Sequence, residues 1–471
     1  MDSNFDFVVI GSGPAGEKAA ALAAYHGKSV AVIERAPRPG GTMIDGVAST
    51  KTMREAAIYL TSFRQRQVYG TGLRIEPELA VQGVRDRTAR VESLLARAVA
   101  SNLAHHGIEL IHGTARLAGP GRVEVQPPGG GAARVVTAPV VLLATGSRPF
   151  HPPGVPFEHR DVLDSDSARQ IDRPLRSVVV IGGGAVACEF ASIFCALGCE
   201  VTLIENGPQL LPFVDGQIAQ ALAAEFRDMG MQVLLDTGRA RVTADDDGPV
   251  VTLPEGPVLY PTKVVLAVGR TGNTESLGLE EIGVAVDGRG HVVVDDRHAT
   301  TVPGIWAAGD VTGPPALASV AMAQGRIAAR HALGIPLLDT VDQVAPLGVY
   351  SIPEVAMVGL TEDAARANGE DVEVGQARLS RNARTAITGD PHGLVKLVFR
   401  RGDRRLLGAH ILGGSASELI HQAQAVMLFG GTIDFFINAT FNSPTASEAF
   451  KYAAYDGLSR LENRPTLTTN V

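Results

Sequence analysis

Two short glycine-rich stretches carry the strongest chemical signal in this 471-residue chain. The first is Gly11-Ser12-Gly13-Pro14-Ala15-Gly16, and the second is Gly182-Gly183-Gly184-Ala185-Val186-Ala187. Each follows an apolar run, and each is answered by a glutamate 23 positions beyond its first glycine, Glu34 and Glu205. One such stretch is weak evidence; two with a matched acidic offset are strong. Gly11 and Gly182 permit a tight turn, and Gly13 and Gly184 lack a Cβ, so the backbone can approach a pyrophosphate. The helix that follows presents free N–H groups and roughly half a positive charge to that pyrophosphate. Gly16 and Ala187 are small enough for helix and strand to pack closely, and Glu34 and Glu205 can accept hydrogen bonds from a ribose diol. The chemistry is the binding of two dinucleotides.

Glu205 favours NAD(H), because a 2′-phosphate would meet a carboxylate. A hydrogen bond to a charged group corresponds to about a ten- to hundredfold preference. No arginine follows Glu205 in the segment NGPQ to catch a phosphate. The cysteines Cys188, Cys195 and Cys199 fall within one expected helix, with a spacing that fits no zinc pattern, so no metal is expected. They read as small buried residues on a helix packed against a sheet.

The elements that must position these groups repeat. FVVIGSGPAGEKAAALAAYHGKSVAVIER and VVVIGGGAVACEFASIFCALGCEVTLIEN each read as strand, turn, helix and a second strand ending in an acid. The expected domains are 1–150, closed by VVLLATGSRP; 151–280, closed by KVVLAVGRTGN; 281–345, with the strand GIWAAGD and a helix from about Leu317 to Leu333; and 346–471, which has no phosphate loop. Residues 115–140 read as a hairpin meander. The charge of −8 argues against nucleic acid, and no apolar run reaches the length of a membrane span. The chain runs almost directly into the strand FDFVVI, which points to a cytoplasmic protein. His410 and His421 are expected in helix and interface packing, His105 and His106 at a helix end, and Trp306 in the core.

The chain resembles the flavoprotein disulfide reductases, the group of glutathione reductase and dihydrolipoamide dehydrogenase. The likeness rests on GSGPAG, ATGSRP, GGGAVACE, GRTGN, AAGD and YSIPEVAMVGLTE, and covers nearly the whole length. Within that group it is most similar to the soluble pyridine nucleotide transhydrogenases, through KTMREAAIYL, LDSDS, GRTGNTESL, FNSPTASEAF and AAYDGLSRL. The resemblance implies an α/β fold with two Rossmann-like dinucleotide-binding domains, glutathione reductase-like, and an α+β C-terminal dimerisation domain. It implies FAD on the first turn, NAD(H) and/or NADP(H) on the second, and a homodimer. To the motif glycines it adds Pro14, Ala15, Arg35, Gly41, Thr42, Lys51, Ala115, Thr145, Gly146, Gly309, Asp310, Leu317 and Ala318 as contacts. Asp310 would meet the flavin ribityl or phosphate region. On the nicotinamide side it adds Ala185, Val186, Gly269 and Arg270. Ala187 in the third glycine position is a variation seen in NADP-binding relatives. The resemblance also implies that Lys51 sits by the flavin N5 and pairs with Glu189. A cation there stabilises the anionic form of the flavin, and a buried lysine needs a carboxylate to stay charged.

The departures concern the exit of electrons. The disulfide reductases carry two cysteines with four residues between them just before this lysine, where the present chain reads GGTMIDGVASTK. By alignment Met43 and Val47 take the cysteine positions, the loop is one residue shorter, and Ser49 replaces a proline. Thiol–disulfide exchange needs thiolates, so disulfide reduction is excluded. The proton-donating histidine of the disulfide reductases is Ser443 here, although its orienting partner Glu448 remains, and serine does not titrate near neutral pH. Three readings follow: hydride transfer between NADPH or NADH and NAD or NADP through FAD; reduction of a small organic acceptor, quinone or oxygen at a face opened near Met43, Val47 and Ser443; or a non-catalytic FAD-binding assembly protein.

Overall fold

The computed structural model describes residues 3–61, 76–336 and 344–464. The described chain forms two compact units, one of residues 3–52, 86–150 and 269–336, the other of 53–61, 76–85, 151–268 and 344–464.

In the first unit the apolar runs become a five-stranded parallel sheet. Its order is Ile305–Ala307, Val140–Leu143, Phe7–Ile10, Val30–Glu34, Glu109–His112. Alternation along these strands serves two faces. Val8, Ile10, Ala31, Ile33 and Val141 join Leu117, Val123 and Val136 of an antiparallel layer. Phe7, Val9, Val32 and Leu142 join Ala19, Ala20, Ala23, Ala328 and Ala329 of two helices. Those helices are Pro14–Tyr25 and Ala318–Leu333, the latter close to its expected span. They approach so closely that a Cβ on Gly325 would lie 2.1 Å from the Ala15 carbonyl oxygen. The expected meander is present as Thr114–Gly119, Arg122–Gln126 and Arg134–Thr137. Trp306 lies partly buried on the helix side of the sheet.

The second unit repeats the plan with strands Val162–Asp164, Lys263–Leu266, Ser177–Ile181, Glu200–Ile204 and Gln232–Leu234, all parallel. Its C-terminal part is a five-stranded antiparallel sheet in the order Leu347–Val349, Val355–Gly359, Leu406–Leu412, Leu394–Arg400, Val372–Arg378. Helices Ala416–Leu428 and Glu448–Leu461 bury Ala423 and Phe450 in its core.

Three expectations are revised. Residues 269–280, read as the end of the second nucleotide domain, group with the first unit. The parallel strand stops at Leu266, Gly269 turns with φ +130, and Arg270–Gly272 pairs antiparallel with Ser147–Pro149. Cys199 lies beyond the helix Ala185–Ala196 that holds Cys188 and Cys195, because Gly198 turns the chain with φ +90. His410 sits in the strand Leu406–Leu412, fully buried, with Nε2 3.0 Å from the Leu360 carbonyl oxygen, and burial pushes its pKa down. His421 is exposed on Ala416–Leu428. Among the described residues no helix is long and apolar enough to cross a membrane.

Candidate functional site

Within the first turn the glycines have separate jobs. Gly11 takes φ +103, and a Cβ on it would lie 2.3 Å from the Ala144 carbonyl oxygen. A Cβ on Gly16 would lie 2.0 Å from the Gly11 carbonyl oxygen. These two are required by the protein's own packing. Gly13 is different, since a Cβ there meets nothing within 4 Å. It is the N-cap of Pro14–Tyr25, in extended backbone, and no side chain caps the helix. The first-turn N–H groups therefore lack a side-chain acceptor beside open space, which suits an anion.

Glu34, 6% exposed, ends its strand beside this turn. Its Oε2 accepts from Ser12 N at 3.0 Å and Ser12 Oγ at 2.6 Å, and its Oε1 accepts from Ala36 N at 2.8 Å. Ser12 Oγ accepts in turn from Gly40 N at 2.9 Å. In the sequence the only signal for Ser12 is its place between two motif glycines. Gly41, with φ +53, brings its Cβ position within 3.3 Å of Gly13 Cα, so it borders the same opening. Thr42 and Arg35 are exposed. Ala115 is 5% exposed in the core, which leaves it only backbone to offer.

Asp310 follows the strand Ile305–Ala307 in a short turn begun by Gly309, φ +82. A Cβ on Gly309 would lie 3.0 Å from Ala15 Cβ, which sets this turn against the first helix. Leu317 is the N-cap of the helix that starts at Ala318. The polar groups of Thr145, Gly146 and Arg270 are engaged within the unit: Thr145 Oγ1 donates to the Asn273 carbonyl, and Arg270 donates to Ser147. Asp310, Glu34 and the open face of Gly13 are the groups of the first unit that would hold an elongated dinucleotide.

The second turn has the same division of labour. Gly182 takes φ +119 with its Cβ position 2.5 Å from the Ala267 carbonyl oxygen, whereas Gly184 faces open space. Gly184 caps Ala185–Ala196 without a side-chain acceptor, Ala187 is buried and Val186 is 37% exposed. Glu205 Oε1 accepts from Gly207 N at 2.8 Å, and its Oε2 lies against Gly183. Gly269, by contrast, belongs to the first unit.

The segment that would hold a disulfide is a π-helical stretch, Met43–Ala48, with Met43 and Val47 partly exposed. Ser49, in the proline's place, is fully buried, its Oγ 2.8 Å from the Ile44 carbonyl oxygen and 2.6 Å from Glu92 Oε1. Lys51 lies on Ser49–Thr61, partly buried, with Nζ 3.5 Å from Thr50 Oγ1. Glu189, 6% exposed on Ala185–Ala196, accepts from Tyr350 N at 2.9 Å. Ser443 is exposed, and Glu448 opens the helix Glu448–Leu461. None of the three thiols replaces the missing pair. Burial pushes Cys188 well above the usual thiol range, Cys195 up to about 11 and Cys199 up to about 12, so all stay protonated near neutral pH.

Residues 5–325 match the family described as pyridine nucleotide-disulphide oxidoreductase, and residues 345–454 match its dimerisation domain. A soluble pyridine nucleotide transhydrogenase of Mycobacterium bovis is 40% identical over 458 residues, 97% of this chain and 98% of the relative. One from Hahella chejuensis is 39% identical over 463 residues, 97% and 99% of the two chains. The HOCl-induced flavoprotein disulfide reductase RclA from Escherichia coli superposes with a TM-score of 0.85 at 28% identity, over 96% of this chain and 99% of that one. LpdA from Mycobacterium tuberculosis does so with a TM-score of 0.86 at 27% identity and the same coverage. The chain belongs to the pyridine nucleotide-disulphide oxidoreductase family and is an FAD-dependent oxidoreductase of nicotinamide nucleotides, although it lacks the thiols from which the family takes its name.

Proposed function

We propose that this chain passes hydride from one nicotinamide nucleotide to the other through FAD, as a soluble pyridine nucleotide transhydrogenase. The observation that carries the reading is a pairing: two turns, each with its central glycine open to a ligand, and no cysteine anywhere in residues 1–187. The relatives named as transhydrogenases support it. FAD, when bound, supplies the two-electron carrier, and the protein supplies position and charge. In this reading the first turn, Glu34 and Asp310 hold FAD, while the second turn and Glu205 hold the nucleotide. Lys51 and Glu189 take the roles the resemblance assigns them at the reacting end, and Ser443 and Glu448 belong to the acceptor side. The test is NADPH with thio-NAD: steady, ping-pong turnover is expected. Bound FAD with no turnover removes the reading.

Met43 and Val47 favour a second reading, because both are partly exposed where the disulfide reductases have their disulfide. A small organic acceptor, quinone or oxygen would then take the electrons. Turnover with quinones but not with thio-NAD selects it.

Glu205→Ala tests the nucleotide choice. Loss of the ribose hydrogen bonds is expected to raise the KM for NADH about ten- to hundredfold, with the KM for NADPH unchanged or lower. Equal changes for both nucleotides count against Glu205 as the discriminating group.

A homodimer in the cytoplasm completes the proposal. The match to a dimerisation domain supports the dimer, as do Phe429, Phe435 and Tyr452, which are 91%, 50% and 48% exposed in the C-terminal part.

A further inference from the structure

Two of the motifs, residues 145–149 and 269–273, are zipped together inside the first unit. Ser147–Pro149 pairs antiparallel with Arg270–Gly272. Thr145 Oγ1 donates to the Asn273 carbonyl at 2.8 Å, and Asn273 Nδ2 donates to the Thr145 carbonyl at 2.9 Å. Arg148 Nη1 donates to the Gly272 carbonyl at 3.0 Å. At the centre, Arg270 Nη2 donates to the Ser147 carbonyl at 2.8 Å and Arg270 Nε donates to Ser147 Oγ at 2.6 Å. Ser147 Oγ lies 2.9 Å from Asp310 Oδ2, and Ser147 is 6% exposed.

The direction of this relay follows from proton counting. A guanidinium only donates, an ionised carboxylate only accepts, and a hydroxyl has one proton to give. Arg270 fills a lone pair of Ser147 Oγ, so the single proton of Ser147 is sent to Asp310. That bond pins one carboxylate oxygen. The other, Oδ1, makes no hydrogen bond to a described residue. The Asp310 turn lies against the first turn of Pro14–Tyr25, since a Cβ placed on Gly309 would lie 3.0 Å from Ala15 Cβ. A carboxylate cannot accept from a phosphate, which has no proton to give at neutral pH. Its remaining oxygen suits a hydroxyl donor.

We infer that Ser147 is a positioning residue for FAD: with its proton directed by Arg270, it orients Asp310 to accept from a ribityl hydroxyl. The inference rests on the reading that Asp310 contacts the flavin. The ribbon of residues 145–149 and 269–273 thereby gains a purpose that neither motif has alone.

The test is titration of apoprotein with FAD, read by quenching of flavin fluorescence and by the visible circular dichroism of the bound flavin. Asp310→Asn and Ser147→Ala are each expected to weaken FAD about ten- to hundredfold, the range for a hydrogen bond to a charged group. Both should change the circular dichroism band, and Arg270→Lys should move affinity in the same direction. In the double variant, Ser147→Ala should add less than about twofold to Asp310→Asn, because a residue acting through Asp310 has nothing left to orient. Wild-type affinity in Ser147→Ala overturns the inference. So does full additivity in the double variant, which would make Ser147 a support of the ribbon alone. If Asp310→Asn binds FAD like wild type, the reading of Asp310 falls, and the inference falls with it.

Discussion

Gly13→Val is expected to leave the apoprotein folded while weakening FAD at least about hundredfold. Gly13 has φ −66 and ψ −175, a conformation open to any residue, and a Cβ there meets no protein atom within 4 Å. The protein's own packing does not call for glycine at this position, which leaves a bound dinucleotide as the group a side chain here would obstruct. Charge-assisted bonds from the first-turn N–H groups contribute about 1.5–3 kcal/mol each, and the loss of one or two reaches a hundredfold in affinity. Gly16→Ala is the contrasting variant. Its Cβ would lie 2.0 Å from the Gly11 carbonyl oxygen, so it should fail as a protein before it fails as a binder. Gly184→Val should copy the first result at the second site, losing NAD(P)H while keeping FAD. FAD titration with thermal unfolding of the apoprotein decides the matter. Gly13→Val with FAD affinity within about threefold of wild type would place the pyrophosphate elsewhere.

Lys396→Met is expected to destabilise the second unit by about 3–5 kcal/mol. Lys396 is 1% exposed in the strand Leu394–Arg400. Its Nζ donates to both Asp215 oxygens at 3.0 and 2.9 Å and to Glu362 Oε2 at 2.7 Å. Asp215 is itself 3% exposed and caps Gly216–Asp228 by accepting from Gln217 N. Removing the cation strands a buried carboxylate, so Lys396→Met with Asp215→Asn should recover part of the loss. Burial raises the Asp215 carboxyl, but the hydrogen bond and charge of Lys396 outweigh it and hold the pKa below the usual value. The folded pKa lies below the unfolded one, so this stabilisation is complete above about pH 4. It is lost as pH falls through the folded pKa. Urea unfolding on either side of pH 4 should show wild type losing more stability on acidification than Lys396→Met. Parallel pH dependence would dissociate the ion pair from the stability.

The legible parts of this molecule are those governed by near neighbours. The turn at Gly11 and its copy at Gly182 were readable because backbone sterics over a few residues demand glycine there. The offset to Glu34 and Glu205 was readable because one helix and one strand have fixed lengths. The unbroken apolar runs FVVI and VAVI are those of strands buried on both faces. The missing thiols were legible as letters alone, and with them the closing of the disulfide route. Where reading failed, a single backbone event intervened. Gly198 ended a helix before Cys199, and Gly269 turned a strand out of its sheet into a ribbon with Ser147–Pro149. Both glycines were visible in the sequence, but a glycine announces a turn without saying where the chain goes next.

The sequence by itself determined that two glycine turns are present, that each is followed by a glutamate at the same offset, and that no cysteine precedes Cys188. These are properties of residue type and short spacing. Only the tertiary structure decided what holds the acids and cations in place. Ser147 meets Arg270 across 123 positions and Asp310 across 163, and Lys396 meets Asp215 across 181. No periodicity links residues so far apart. Their pairing follows from strand order and register, which are settled only when whole sheets bury their faces, and burial then makes each unpaired charge costly enough to require its partner.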